Sequence, residues 1–470
     1  MKTKWVLALT AVASLMVALD LLVVSTALST IRLDLGASLE QLQWTVTAYG
    51  LVFAVLLMTG AALGDRFGRR RVFMIGLGLF AAASAACALA PGIEWLIAAR
   101  AVQGAGAALV MPLAVALLTA SVPAERRGRT LGTFEALTGL ATIAGPPVGG
   151  VVAQALGWES IFWINVPIAL VVIPLVARHV AESRGSDTAL DLRGLVLVTG
   201  GVFGLVWGLV RGNPAGWDSP SVLVPLVAGS VLLVAFVAWE LRADQPMLPM
   251  GLFRERAFSA GTVASVFLFA ALYGSVFFLA QFMQTGLGHD PLEAGLRLVP
   301  WTAMLLFVAP LAGAFADKVG NRPLLVGGLV LNAVGLGWLA SIAAPDLSYG
   351  AMVWPMVVAG IGASMAIPVV QNAVLGGVPE DAIGKASGAN GMTQELGGAF
   401  GVAVLVAVFT VAGSYATASS FVSGFAVAMW VCAGLALAGA VAARFVPAPR
   451  RVAEEVCAPM SNANASTSSR

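Results

Sequence analysis

Four ionisable residues stand inside otherwise apolar stretches: Asp20, Arg100, Glu135 and Glu395. Each costs at least ~2.5 kcal/mol at the centre of a lipid-embedded helix unless it is paired or hydrated. At a rise of about 1.5 Å per residue, Asp20 lies roughly 12 Å and Arg100 roughly 8 Å from the same ends of their stretches, depths at which they can meet. Such a pair would hold Asp20 charged until a proton arrives, and protonation would release Arg100. A static pair that only fixes helix packing is the alternative. Glu135 and Glu395 lie roughly 8 and 10 Å from the opposite ends of theirs, with no basic residue as an obvious mate. They are expected to exchange protons or to face a cationic ligand, the alternative being that they snorkel to water.

The elements that must position these groups follow from composition. Of 470 residues, 59% are hydrophobic and 11% charged, and the mean hydropathy is +0.91. A soluble core of this length needs more polar covering. Apolar stretches near the ~20 residues that cross a bilayer as a helix recur at 5–28, 43–63, 72–90, 95–120, 130–153, 161–178, 192–211, 221–240, 257–281, 296–316, 323–343, 350–375, 388–411 and 423–444, fourteen in all. The first follows two lysines, as a secretory leader would. It is too long for a leader's apolar region and has no convincing cleavage site, so it reads as a span. With fourteen spans, 22 of the 26 Lys and Arg fall on the side of the chain ends, against Arg32, Arg211 and Arg297 on the other. By the positive-inside rule both ends are expected in the cytoplasm. The tail at 447–470, rich in Ser, Asn and Ala, is expected to be disordered.

An internal repeat organises the spans. Leu63-Gly-Asp65-Arg66-Phe-Gly68-Arg69-Arg70 after span two is echoed 252 residues later by Phe315-Ala-Asp317-Lys318-Val-Gly320-Asn-Arg322 after span ten. Gly128-Arg129 with Gly132 is echoed 256 residues later by Gly384-Lys385 with Gly388. Two echoes at nearly one offset imply duplicated halves, spans one to six matching nine to fourteen, the plan of alternating-access carriers. The expected fold is an all-α integral membrane protein: a six-helix bundle at 1–180, two inserted helices at 181–245 and a second six-helix bundle at 246–446.

The two echoed loops look like conformational latches. Asp65 stands among Arg66, Arg69 and Arg70, and its counterpart Asp317 has Gly320 and Arg322 near it. A carboxylate beside a helix start can hold it through the backbone N–H groups and the helix dipole, and Gly68 permits a turn that a Cβ would hinder. A loop that only fixes orientation remains the alternative.

These segments resemble the cytoplasmic loop signature of the major facilitator superfamily, and others resemble its fourteen-helix drug/proton antiporter branch. Leu19-Asp20-Leu-Leu-Val-Val-Ser25, Trp44-Thr-Val-Thr-Ala-Tyr49 and Arg100-Ala-Val-Gln103-Gly104-Ala-Gly106 look like its motifs in spans one, two and four. Gly145-Pro146-Pro147-Val-Gly149-Gly150 resembles the antiporter motif of span five, with Trp158 and Asn165-Val-Pro167 beyond it. Ala61, Ser25 and Glu395 depart from the pattern. The resemblance implies proton-driven export of small, largely hydrophobic or cationic compounds, with the Asp20–Arg100 pair in coupling. Its runner-up is export of an endogenous metabolite such as an amino acid, a lipid or a self-made antibiotic. Tyr49, Gln103, Gln281 and Gln284 are the candidate ligand-binding residues, polar groups on apolar helices. Trp44 and Trp158 are expected to face lipid or the interface.

Other classes fit less well. Two isolated histidines and three scattered cysteines offer neither a metal site nor a catalytic triad, so no enzyme and no cofactor are expected, the proton gradient supplying the drive. There is no nucleotide-binding loop, and a net charge of +2 without a basic aromatic run gives no reason to expect a nucleic acid. The expected partners are a small-molecule substrate, protons and the lipid bilayer, with a single chain as the functional unit in a bacterial inner membrane. A channel or sensor is the remaining competitor, against which the repeated latch loops argue.

Overall fold

The computed structural model describes residues 2–447 except 38, 124–125, 186–190, 244–245, 247, 249, 290, 377, 380–381 and 415; at some further helical positions, among them Asp317 and Pro146, it describes the backbone alone. The tail beyond residue 447 therefore lies outside the described residues. The first half runs through α1 (Lys2–Leu35), α2 (Leu39–Phe67), α3 (Arg69–Ala88), α4 (Ile93–Ala120), α5 (Arg127–Leu156), α6 (Glu159–Trp163) and α7 (Asn165–His179). The inserted pair is α8 (Leu192–Ala215) and α9 (Pro220–Glu240). The second half comprises α10 (Arg256–Gln281), a π turn at Phe282–Gly286, α11 (Pro291–Arg297), α12 (Val299–Thr302), α13 (Met304–Val319), α14 (Asn321–Ile342), α15 (Tyr349–Leu375), α16 (Ile383–Ala412) and α17 (Ala418–Ala443).

Among the described residues, twelve helices are long and apolar enough to cross a membrane, against the fourteen spans expected. The two outside that count are α1 and α5, of 34 and 30 residues, in which stretches of side chain are not described. Spans six and ten run as single helices, Glu159–His179 and Val299–Ala316, the backbone staying right-handed helical through Ile164 and Ala303. Most of the long helices are apolar around their whole circumference, as helices must be when lipid replaces water on the outer face.

Helix pairing shows how the halves meet. Within the first, α2 and α3 pack on α4 and α1 on α5; within the second, α14 packs on α15 and α17, and α10 on α16 and α17. Between them, α2 packs on α16 and α5 on α13. These two seams exchange under the repeat, since α2 corresponds to α13 and α5 to α16. Helix α8 lies against both α2 and α16. Val198, Val202 and Val206 of α8 share one buried apolar cluster with Leu51 and Val55 of α2 and with Ala386 and Ala389 of α16.

The two echoed loops and both described chain ends lie at one end of this assembly, hereafter the basic end. Gly64, near the end of α2, sits against Leu113 of α4, and Gly128, at the start of α5, sits against Gly313 of α13. Trp5 stacks on His179 at the end of α7, with ring centroids 4.5 Å apart. Val446 shares a buried cluster with Leu325, in the first turns of α14.

Candidate functional site

Asp20 and Arg100 meet in the half of the first bundle away from the basic end, and both side chains are completely buried. Arg100 Nη1 donates to Asp20 Oδ2. The other carboxylate oxygen accepts from Gln103 Nε2 at 2.8 Å and from Asn165 Nδ2 at 2.9 Å. Arg100 also donates to Gln103 Oε1 at 2.6 Å and to the Thr45 carbonyl at 3.3 Å. Ser84 Oγ closes the circle, accepting from Gln103 at 2.7 Å and from Asn165 at 3.3 Å. The guanidinium lies 4.3 Å from the centroid of the Tyr49 ring and 5.8 Å from that of Phe162, in reach of cation–π attraction. One charge pair thus ties together α1, α2, α3, α4 and α7.

The local reasons are plain. Gln103 follows Arg100 by three residues, so both project from one face of α4. Asn165 stands within the Glu159–His179 helix, from which its amide reaches Asp20. Gly104 lets α4 approach so closely that a Cβ there would lie 2.4 Å from the Tyr49 carbonyl oxygen. Tyr49 and Gln103, expected as ligand-binding residues, are buried in this network, Gln103 bonded to both members of the ion pair and Tyr49 with its ring against Arg100 and its Oη 3.4 Å from the Val17 carbonyl. Gln284 is exposed within the π turn and Gln281 half-buried beside it.

Glu135 and Glu395 find neutral partners rather than bases. Gln371 Nε2 of α15 donates to Glu135 Oε1 of α5 at 2.6 Å, across the two halves. Tyr273 Oη of α10 donates to Glu395 Oε1 of α16 at 3.3 Å. Gln371 and Tyr273 escaped the sequence reading. Their signal was the one used elsewhere, a polar group on an apolar helix, and Tyr273 is one of just four tyrosines in the chain.

At the basic end, Asp65 accepts from Arg69 Nε at 2.7 Å, both side chains being buried. It also faces the backbone N–H and the ammonium of Lys385, in the first turn of α16. The carboxylate at the start of α3 is a different one: Glu182 accepts from Arg70 N at 2.9 Å and Arg71 N at 3.3 Å. Asp65 precedes the turn at Gly68 and spends its carboxylate on the Arg69 side chain and on the start of α16 rather than on the N–H groups of α3. Arg66 is exposed, its guanidinium 5.5 Å from the Phe67 ring centroid. In the echoed loop, Gly320 has φ +88° and Arg322 is half-buried in α14, while the Asp317 side chain is outside the described residues. Asn321 Oδ1 accepts from Asn372 Nδ2 there at 2.9 Å.

Both seams close at the basic end by glycine contact. A Cβ on Gly132 would lie 2.3 Å from the Ala309 carbonyl oxygen, and one on Gly313 would lie 2.1 Å from that of Gly128. In the other seam, a Cβ on Gly388 would meet the Ala61 methyl at 2.5 Å. Ala61 and Gly313 are counterparts under the repeat, so the departure at Ala61 adds one methyl to one of two equivalent contacts. Of the span-five motif, Gly145 is buried in α5, whereas Pro146, Gly149 and Gly150 are described only as helical backbone. Trp158 is 3% exposed and donates from Nε1 to Asp34 Oδ2 at 2.9 Å. It is not the interfacial residue expected, because Asp34 gives its N–H a partner inside the protein.

Known proteins share this architecture. The model of the Major Facilitator Superfamily matches residues 10–402 and 261–457. The chain is 38% identical to the cephamycin export protein of Amycolatopsis lactamdurans over 95% of its own length and 93% of that protein's. It is 35% identical to the tetracenomycin C resistance and export protein of Streptomyces glaucescens, covering 84% and 74% of the two chains. Among solved structures, the proton:xylose symporter XylE superposes with a TM-score of 0.70 at 17% identity, over 95% of this chain and 96% of that one. That likeness speaks to the fold. With twelve apolar helices among its described residues and a family match along most of its length, this multi-pass membrane protein belongs to the Major Facilitator Superfamily.

Proposed function

We propose that the chain is a proton-coupled exporter that moves small, largely hydrophobic or cationic compounds out of a bacterial cell by alternating access. The observation that carries this reading is the sealed Asp20–Arg100 pair with its Gln103, Asn165 and Ser84 partners. A charge pair so deep is expensive to bury, and it pays its way only if gaining and losing a proton changes how five helices pack. Glu135, bonded across the two halves to Gln371, and Glu395, bonded to Tyr273, are the groups that meet a cation or relay protons. Asp65 holds the halves together at the basic end, and the glycine seams let them part and re-form.

The names of the relatives support export, and the basic loops support a cytoplasmic location for both ends in the inner membrane. Helices α1 and α5, of 34 and 30 residues, are long enough to be the two further crossings, which gives the fourteen-helix antiporter plan. A second reading, export of one endogenous compound, is favoured by relatives named for single antibiotics, cephamycin and tetracenomycin C.

The test is ethidium uptake into everted, respiring vesicles carrying the chain. Accumulation that collapses on addition of a protonophore is the expected result, and accumulation insensitive to it removes proton drive. If ethidium is ignored while one endogenous antibiotic is taken up, the second reading holds.

A further inference from the structure

Glu182 belongs to no helix. It lies in the connector that leaves α7 and leads to the inserted pair, and its carboxylate folds back onto the turn between α2 and α3. It accepts from the backbone N–H groups of Arg70 at 2.9 Å, Arg71 at 3.3 Å and Ser183 at 3.1 Å, and pairs with Arg70 Nε at 3.7 Å. The first two are among the N–H groups a helix leaves without an internal partner, at the positive end of its dipole. Arg70 returns the contact, its Nη1 donating to the Ala177 and Val180 carbonyls at 3.2 and 3.1 Å, at the negative end of α7. Two backbone bonds complete the strap: Arg69 N to Ser183 O at 2.9 Å, and Gly185 N to Asp65 O at 3.0 Å.

Gly68 is fitted to this strap twice over. Its φ of +109° lies where side chains are rarely tolerated, and a Cβ there would fall 2.8 Å from the Glu182 carboxyl carbon. The strapped turn carries Asp65, which faces Lys385 of the opposite bundle on its other flank. The echoed turn is held differently, by Asn321 and Asn372 within its own bundle. The connector continues to α8, which packs on both α2 and α16.

We propose that Glu182 is a positioning residue of the gate: it fixes the Asp65 turn in the register that reaches α16, and it joins that turn to the inserted pair. The proposal rests on the transport reading for its consequence and on contacts of its own for its geometry. It is tested in the full chain with the tail Cys457 replaced by Ser and a reporter thiol introduced as Ser387→Cys. Ser387 is buried in the closed seam, with its Oγ 3.3 Å from the Pro112 carbonyl. In everted vesicles the thiol is exposed to a membrane-impermeant maleimide from the basic end.

Glu182→Ala is expected to raise the labelling rate about three- to fivefold, the factor that a carboxylate at a helix N-terminus is worth, and to lower ethidium uptake. Glu182→Gln keeps an acceptor for the same N–H groups but not the charge, and is expected to fall between the parent and Glu182→Ala in both labelling and uptake. If Glu182→Ala does not reach the membrane, Glu182→Gln is read alone, with an intermediate labelling rate expected. Labelling at the parent rate in whichever variant is read overturns the proposal. A parent chain that labels normally but takes up no ethidium instead overturns the transport reading and leaves the labelling comparison intact.

Discussion

Asp20→Asn will reach the membrane folded and will lose protonophore-sensitive uptake. The amide is nearly isosteric with the carboxylate, and its oxygen can keep accepting from Gln103 or Asn165, which donate to the native group at 2.8 and 2.9 Å. What it lacks is the charge opposite Arg100 and the capacity to take up and release a proton. Arg100 is then a buried guanidinium without a counter-ion, a state that costs about 3–5 kcal/mol when one partner of a buried pair is removed. The cation–π contacts to Tyr49 and Phe162 are made with either residue at position 20 and offset none of that cost. A bias of ~1.4 kcal/mol between two conformations already shifts their ratio tenfold, so uptake should fall at least about tenfold at every pH tested. Initial rates of ethidium uptake, normalised to protein in the membrane, provide the measurement. If Asp20→Asn takes up ethidium at the wild-type rate with the wild-type response to pH, the pair is a static packing device and coupling resides elsewhere.

The second large effect is steric. Gly132→Ala puts a methyl carbon 2.3 Å from the Ala309 carbonyl oxygen and 3.2 Å from the Pro310 Cα, atoms of backbone that cannot swing aside. Overpacking of this kind costs about 1–3 kcal/mol where side chains can adjust, and the rigid partner places this case at the upper end. Closure of the α5–α13 seam should therefore be disfavoured by roughly 100-fold, at ~1.4 kcal/mol per factor of ten. Gly139→Ala is the matched control one to two turns along the same seam. Its added methyl meets the Leu305 Cδ2 at 2.0 Å, closer still, but this is the far end of a flexible side chain that can rotate. Uptake should fall severely in Gly132→Ala and by less than about threefold in Gly139→Ala, on the lower end of the same overpacking range. Equal rates in the two variants would mean that the seam does not close during transport.

The parts of this molecule that were readable in its sequence are those where hydrocarbon leaves a residue few choices. A charge at Asp20 or Arg100 cannot be left alone in lipid, so two such residues at matching depth had to be considered together, and the structure joins them. The duplicated loops were readable because a repeat needs no energetics, only self-similarity, and the glycines at 132 and 388 stand at equivalent seams because the repeat puts them there. The partners chosen by tertiary packing were not readable. Nothing in the connector after α7 announces that Glu182 turns back onto α3, since an acid in a polar linker is ordinarily solvated. Gln371 finds Glu135 from 236 residues away, a pairing that depends on how α5 and α15 lean against each other. Trp158 was misjudged because an amphipathic ring suits the lipid interface as well as it suits a buried hydrogen bond, and Asp34, 124 residues earlier, decides between them.

Export against protons is tested most directly with the purified chain in liposomes, loaded with ethidium and a trapped pH dye and diluted into dye-free buffer at clamped membrane potential. If each ethidium that leaves is exchanged for incoming protons, the lumen acidifies as ethidium exits, and liposomes bearing Asp20→Asn show neither change. Ethidium leaving at the same rate through both chains, with no movement of protons, would contradict the account.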